Sequence, residues 1–160
     1  MVFGATGGTG RELVSQALKK GHDVSAFVRT PGKLAVVGAR LRAVQGDIER
    51  AETIQAAIPG HVGETRGQLG PFYNWLLVPL LLRNVFADKE RQEAVIRATA
   101  LDWTIVQPAS LTNASQTGTY RAGDCTGRLF PKVSRSDVAH FMIEELENPR
   151  HVRQTVPLCY

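Results

Sequence analysis

The residues best suited to chemistry form the run Gly4-Ala5-Thr6-Gly7-Gly8-Thr9-Gly10. An apolar strand-like stretch, Met1 to Phe3, precedes it and a helical pattern follows it. In that context a glycine cluster cradles phosphate rather than merely turning the chain. Gly4 allows a sharp exit from the strand. Gly7 and Gly8 carry no side chains that would hold the backbone away from a diphosphate, and Gly10 lets the helix pack closely on the strand. The helix start then offers unpaired N–H groups and a partial positive charge to the anion. Thr6 and Thr9 are candidate hydroxyl donors. A glycine-rich loop without a ligand is the plainer alternative, disfavoured by the strand before it and the helix after it.

A dinucleotide would reach from this turn to the tip of the next strand. NAD-selective folds place an acidic residue there to accept from the ribose hydroxyls. This sequence has Arg29 instead. A guanidinium pairs with a 2′-phosphate and stacks on an adenine plane. The expected cofactor is therefore NADP(H), with Thr30 and Lys33 as helpers; an ordinary solvated arginine is the alternative. Asp23 lies before that strand, in the turn, and does not replace the missing acid.

Positioning these groups requires a strand–turn–helix–strand unit, and the pattern supplies one. Leu13, Val14, Ala17 and Leu18 fall on one face of a helix over residues 11–20, with Gly21 where a C-cap glycine belongs. Strands are expected over 24–28 and 41–45, the second running into Gly46-Asp47. A helix over 51–58 closes at Pro59-Gly60. This β-α-β rhythm implies parallel strands with crossover helices. Further on, 61–70 reads as loop, 85–98 as a charged helix, 103–106 as a buried strand and 117–122 as half of a hairpin. A last helix over 134–146 has Ser134 as N-cap and Asp137 three residues on, in the manner of a capping box. The expected fold is α/β, a Rossmann-like doubly wound parallel sheet in a single domain over residues 1–160.

Composition excludes several classes. Apolar residues at 43% and charged residues at 21% are ordinary for a globular chain. A net charge of +4 is too small and too scattered to argue for nucleic acid. The longest apolar stretch, Trp75 to Leu82, is interrupted by Pro79 and too short to span a bilayer, and no signal-peptide pattern precedes the glycine run. Cys125 and Cys159, with no CxxC or Cys/His cluster, suggest neither a disulfide framework nor a metal site. A reducing, cytoplasmic setting follows as the default.

The glycine spacing is GxxGxxG rather than the GxGxxG of typical dehydrogenases, and VFGATGGTG resembles the opening of atypical short-chain dehydrogenase/reductase proteins. Within them it is most similar to the NAD(P)H-binding, NmrA-like and flavin reductase/biliverdin reductase B group. Residues 100–108, ALDWTIVQP, resemble that group's GLDWTIVRP strand. Gly118-Thr119-Tyr120-Arg121 resembles its TGxYR hairpin, and Val133 to Ala139, VSRSDVA, its ISRxDVA helix start. The resemblance runs to about Met142. It implies that Gly46-Asp47-Ile48 lies against the adenine. Asp47 would then accept from the adenine amino group or cap the following helix, readings that are compatible.

Classical members of the superfamily use a Ser with Tyr-xxx-Lys, the Lys lowering the Tyr pKa. Lys89 lies in a stretch resembling the family's DKxxxE, but Val85 stands four residues before it. Tyr73, Tyr120 and Tyr160 have no lysine four residues on. His140, beside Phe141, reads as a packing or surface residue. No catalytic residue is assigned.

The resembled family places a strand, a helix and a strand after its IPGH segment. Here His61 is followed at once by Val62-Gly63-Glu64, and such a unit needs about 30 residues. Either the chain is a true deletion or an internal segment is missing after His61. The second is favoured, because the deletion would leave strand 103–106 without its usual neighbour and open the nicotinamide crevice. Between Leu69 and Phe86 the chain is apolar and aromatic. It must be covered by its own domain, by a flat-ring substrate under a lid, by a protein partner or second copy, or by a membrane surface. The expected function is an NADPH-dependent reductase of a planar acceptor such as flavin or quinone, where orientation matters more than a protein acid. The alternative is a non-catalytic NADP(H)-binding redox sensor or assembly factor of the NmrA-like type. A sugar-nucleotide epimerase is disfavoured by the absent Tyr-xxx-Lys.

Overall fold

The computed structural model describes residues 1–47, 49–50, 52–53, 93–94, 96–127 and 129–160. Ile48, most of the expected helices over 51–58 and 85–98, the apolar segment between Leu69 and Phe86, and the His61–Val62 junction lie outside the described residues.

The amino-terminal half is the expected unit. Strands β1 (Val2–Phe3), β2 (Val24–Val28) and β3 (Leu41–Gln45) form a parallel sheet in the order β1-β2-β3, with Phe3 opposite Phe27 and Val28 opposite Gln45. Helix α1 (Gly8–Lys19) crosses between β1 and β2. It buries Leu13, Val14 and Ala17 against Ala5, Val24, Ala26 and Val28, the stripe that its apolar spacing requires. Its end is a Schellman turn. Gly21 has φ +87°, its N–H donates to the Leu18 carbonyl, and the His22 N–H donates to that of Ala17. The helix begins three residues earlier than its periodicity suggested. The first turn carries no apolar side chain, so only the backbone reveals it.

The carboxy-terminal half departs further from expectation. The strand expected over 103–106 is β4 (Thr104–Pro108), half-buried rather than buried. Three strands escaped the pattern: β5 (Ser110–Thr112), β7 (Lys132–Ser134) and β8 (Gln154–Cys159). Three residues are too few to show a period, and Pro157 in β8 argues against a central strand. Yet β8 lies between β4, its parallel partner, and the antiparallel β6 (Arg121–Ala122), the only strand in the hairpin expected over 117–122. β5 pairs with β7 in parallel.

Among the described residues the strands form separate small sheets rather than one continuous sheet. β1 pairs only with β2, and β4 only with β8. What joins the halves is helix α2 (Arg135–Glu147). Its Ala139 and Ile143 enter the α1 core, while Val138 and Phe141 pack with Val133, Val156 and Leu158. Polar bonds hold the two helices in register. Gln16 Nε2 donates to the Ser136 carbonyl and hydroxyl at 2.9 Å, and Lys20 meets Glu144 and Glu147 at 2.6 and 2.7 Å.

The cysteines correct the sequence expectation: Cys125 and Cys159 are bonded, with Cα atoms 6.0 Å apart. Spacing could not show this, because the partners are 34 residues apart and meet only when β6 pairs with β8. Closing a loop of that length stabilises by about 3 to 4 kcal/mol in the chain-entropy treatment. Reduction, or Cys125→Ser, is therefore expected to lower the melting temperature by about 10 °C. A melt indifferent to reductant would contradict the bridge.

Candidate functional site

The glycine-rich turn lies at the carboxyl end of β1. Gly4 leaves the strand with φ +70°, a conformation that side chains resist, and its carbonyl accepts from the Gly7 N–H at 2.9 Å. The turn is tight enough that a Cβ on Gly10 would lie 2.2 Å from the Gly4 oxygen, and one on Gly7 3.3 Å from it. The helical ladder begins with Arg11 N–H donating to Gly7 O, so the first-turn amides of Gly8, Thr9 and Gly10 have no intrahelical acceptor. No side chain caps α1, and its first turn holds no acid. Bare amides at a positive helix end, on a turn too tight for a Cβ at Gly10, fit a diphosphate.

The other candidate residues stand along the same sheet edge. Arg29 is the first residue beyond β2; it is exposed, and its carbonyl receives a long bond from Gln45 Nε2 at 3.5 Å. Gly46, one residue beyond β3, donates to Val28 O. A Cβ there would strike the Phe27 ring at 2.4 Å, so this glycine keeps the ends of β2 and β3 together. Asp47 Oδ1 accepts from the Glu49 N–H at 3.1 Å, while Thr53 Oγ1 bonds both the N–H and the carbonyl of Asp47. The carboxylate thus bonds within the turn after β3; the helix it was expected to cap lies largely outside the described residues. Phe3 and Phe27 pack at a 48° tilt with centroids 5.0 Å apart beneath this edge. A concavity of about 240 Å³ among the described residues, lined by Asp23, Arg40 and Arg42 among others, lies at the opposite, amino ends of β2 and β3. A site at strand carboxyl ends is where parallel α/β sheets bind ligands, so the concavity is not part of it.

Two residues of α2 matter more than their spacing suggested. Ser134 is the N-cap as expected, its side chain accepting from Asp137 N–H at 2.9 Å. Asp137 does not complete a capping box, however; the Ser134 N–H donates to Tyr160 OH instead. The fully buried Asp137 carboxylate accepts from the Thr117 and Gly118 amides, the Thr117 and Ser134 hydroxyls, and Tyr160 OH at 2.6 Å. Burial pushes its pKa up, but the bonds from Tyr160, Gly118, Ser134 and Thr117 outweigh it and hold the carboxyl below its ordinary value. Asp137 is a structural hub binding the 117–118 loop and the last residue to α2. The second residue is Arg135, whose side chain lies against Gly8, where a Cβ would meet its Cδ at 2.7 Å.

The tyrosine and histidine that could suggest acid–base work pair with each other. Tyr120 OH and His140 Nδ1 are 2.9 Å apart, and the Tyr120 pKa is raised by burial and then by the charges of Glu144 and Asp137. His140 is half-buried, with Tyr120 at its Nδ1 and Glu144 3.9 Å from its Nε2. Among the described residues no cluster of three or more His, Cys, Asp or Glu could hold a metal, and no helix is long and apolar enough to cross a membrane.

Solved structures share this architecture. A Rossmann-fold NAD(P)-binding family protein from Shigella flexneri superposes with TM-score 0.74 at 18% identity, over 98% of this chain and 90% of its own. An anaerobilin reductase from Escherichia coli O157:H7 gives 0.74 at 20%, over 99% and 95%. A protein from Streptococcus pneumoniae assigned as an NADH-flavin reductase gives 0.66 at 20%, over 99% and 97%. At these identities the likeness establishes the fold, which is Rossmann. Residues 4–63 and 61–149 match the NAD(P)H-binding family in two stretches that meet at residues 61–63. A glycine cradle fit for a diphosphate, on a Rossmann scaffold and within a match covering most of the sequence, places this chain in the NAD(P)H-binding family.

Proposed function

We propose that the chain, as one domain over residues 1–160, is an NADPH-dependent reductase of a planar acceptor such as a flavin or quinone. The observation that carries this reading is the alignment of bare first-turn amides after β1 with Arg29 after β2, a diphosphate cradle and a cation one strand apart. Gly4, Gly7, Gly8 and Gly10 shape the cradle, Thr6 and Thr9 flank it, and Arg29 takes the 2′-phosphate. Asp47 and Ile48 border the adenine. When bound, the nicotinamide supplies the hydride; the protein's part is to orient it and keep water away. Solvent provides the proton to a flavin or quinone, which agrees with a sequence lacking Tyr-xxx-Lys and with Tyr120 being committed to His140. A flavin reductase and an anaerobilin reductase among the structural neighbours support an acceptor of this kind.

Arg29→Ala is expected to raise the Kd for NADPH by about 10- to 100-fold and leave that for NADH unchanged, the worth of a charged hydrogen-bonded pair. Equal losses for both cofactors would remove Arg29 from the 2′-phosphate. Stopped-flow oxidation of NADPH with free flavins and a quinone panel tests the activity. Tight NADPH binding with no turnover on any acceptor would instead favour a non-catalytic redox sensor or assembly factor, the reading suggested by the apolar sequence between Leu69 and Phe86. A cytoplasmic setting would supply NADPH, whereas the Cys125–Cys159 bridge favours an oxidising compartment. Alkylation of thiols at the moment of lysis distinguishes the two.

A further inference from the structure

We infer that Arg135 is a second cationic contact for the cofactor, a guanidinium that closes over the diphosphate at the start of α1. The inference rests on the cofactor reading above. Arg135 is the first residue of α2, and its stem crosses the first residue of α1: a Cβ on Gly8 would lie 2.7 Å from its Cδ, 2.8 Å from its Nε and 3.7 Å from its Cζ. The arginine thus lies directly on the Gly8 backbone, with no side chain of α1 between them. Nη1 donates to Asn113 Oδ1 at 2.7 Å. Asn113 follows β5 just as Arg135 follows β7, and the two strands pair in parallel with Thr112 opposite Ser134. The guanidinium is thus held at the same carboxyl-end edge as the glycine turn.

Its charge has no counterpart there. Among the described residues no carboxylate lies within ion-pair distance of Arg135. Asp137, the acid in its own helical turn, is occupied by Tyr160, Ser134, Thr117 and Gly118. The neighbouring end of α1 is positive and carries neither cap nor acid, so cation and helix end repel each other until an anion sits between them. Four of the five guanidinium N–H groups have no acceptor among the described residues. The adjacent Thr112 hydroxyl is likewise buried without a partner there. A diphosphate held by the Gly8, Thr9 and Gly10 amides presents the oxygens that this half-buried fork lacks. The α1–α2 bonds through Gln16 and Ser136 fix the reach of the arginine, so the contact is built in rather than recruited.

The test is equilibrium binding to the purified full chain, followed by protein fluorescence or calorimetry, with ligands that carry or lack the diphosphate. Arg135→Gln is expected to raise the Kd for NADPH and for 2′-phospho-ADP-ribose by about 10-fold or more and to leave adenosine 2′-monophosphate unaffected. Arg29→Ala should show the complementary pattern, weakening all three. Asn113→Ala should produce a smaller loss, and no further loss when added to Arg135→Gln, because it acts only by holding the fork. If Arg135→Gln lowers the melting temperature, Arg135→Lys, which keeps the stem and charge but not the fork, carries the same comparison. Unchanged affinity for 2′-phospho-ADP-ribose would overturn the inference, as would an equal loss for adenosine 2′-monophosphate. A loss confined to a phosphate-bearing acceptor such as flavin mononucleotide would overturn it too. Failure of the unmodified protein to bind NADPH would instead sink the cofactor reading on which it rests.

Discussion

Gly10→Ala is expected to raise the Kd for NADPH by at least about 100-fold and to destabilise the fold by about 1 to 3 kcal/mol. Two effects oppose each other at this position. Alanine is the better helix former by about 1 kcal/mol, and Gly10 is helical. Sterics prevail because the added Cβ would lie 2.2 Å from the Gly4 oxygen and 2.9 Å from its carbonyl carbon. Those are backbone atoms that cannot rotate away, and the oxygen is already held by the Gly7 N–H. Relief requires the turn to open, which scatters the amides meant to meet a diphosphate. The loss of two charge-assisted bonds accounts for the affinity change. Gly32→Ala is the control: nothing lies within 4 Å of its Cβ position, so binding and stability should hold. Normal NADPH binding by Gly10→Ala would mean the cradle is not where the cofactor sits.

The other large effect is expected at Asp137. Asp137→Ala leaves Tyr160 OH, the Thr117 and Gly118 amides and the Ser134 hydroxyl without their acceptor in a buried place. Leaving several buried donors unsatisfied costs about 1 to 3 kcal/mol for each that finds no new partner, a large share of what a chain of this size possesses. The pH dependence has a definite sign. Because the folded carboxyl titrates below its unfolded value, its contribution is complete above the ordinary aspartate range, about pH 4. It disappears as pH falls through the lowered folded pKa. Urea melts between pH 2 and 7 should therefore show stability falling below about pH 4 in the unmodified chain and a flatter profile in Asp137→Asn. An equally steep profile in that variant would assign the acid sensitivity to other carboxylates, such as Glu144 and Glu147, whose pKa values Lys20 lowers.

Much of the amino-terminal half was legible because its signals are local. The stripe of Leu13, Val14 and Ala17, the stop at Gly21 and the apolar run of β2 each lie within a few residues of one another, and backbone physics acts at that range. The glycine run could be read because strand, turn and helix are contiguous there. The carboxy-terminal half was less legible. β5 and β7 are too short to carry a period, and β8 hides a proline between two neighbours. Asp137 looked like a capping acid because only its distance to Ser134 is visible in the sequence; Tyr160 and Thr117 are remote in the chain.

By itself the sequence determined the chemistry on offer: a glycine cradle, an arginine where NAD-selective folds keep an acid, a Rossmann-type α/β rhythm, and no tyrosine–lysine pair. Tertiary structure alone decided which distant groups meet. It joined Cys125 to Cys159, gave Asp137 its partners from the far end of the chain, and laid Arg135 across Gly8. Those encounters depend on α2 packing against α1 and on β8 pairing between β4 and β6. No local spacing encodes them, because their energy comes from surfaces that exist only once the elements have formed.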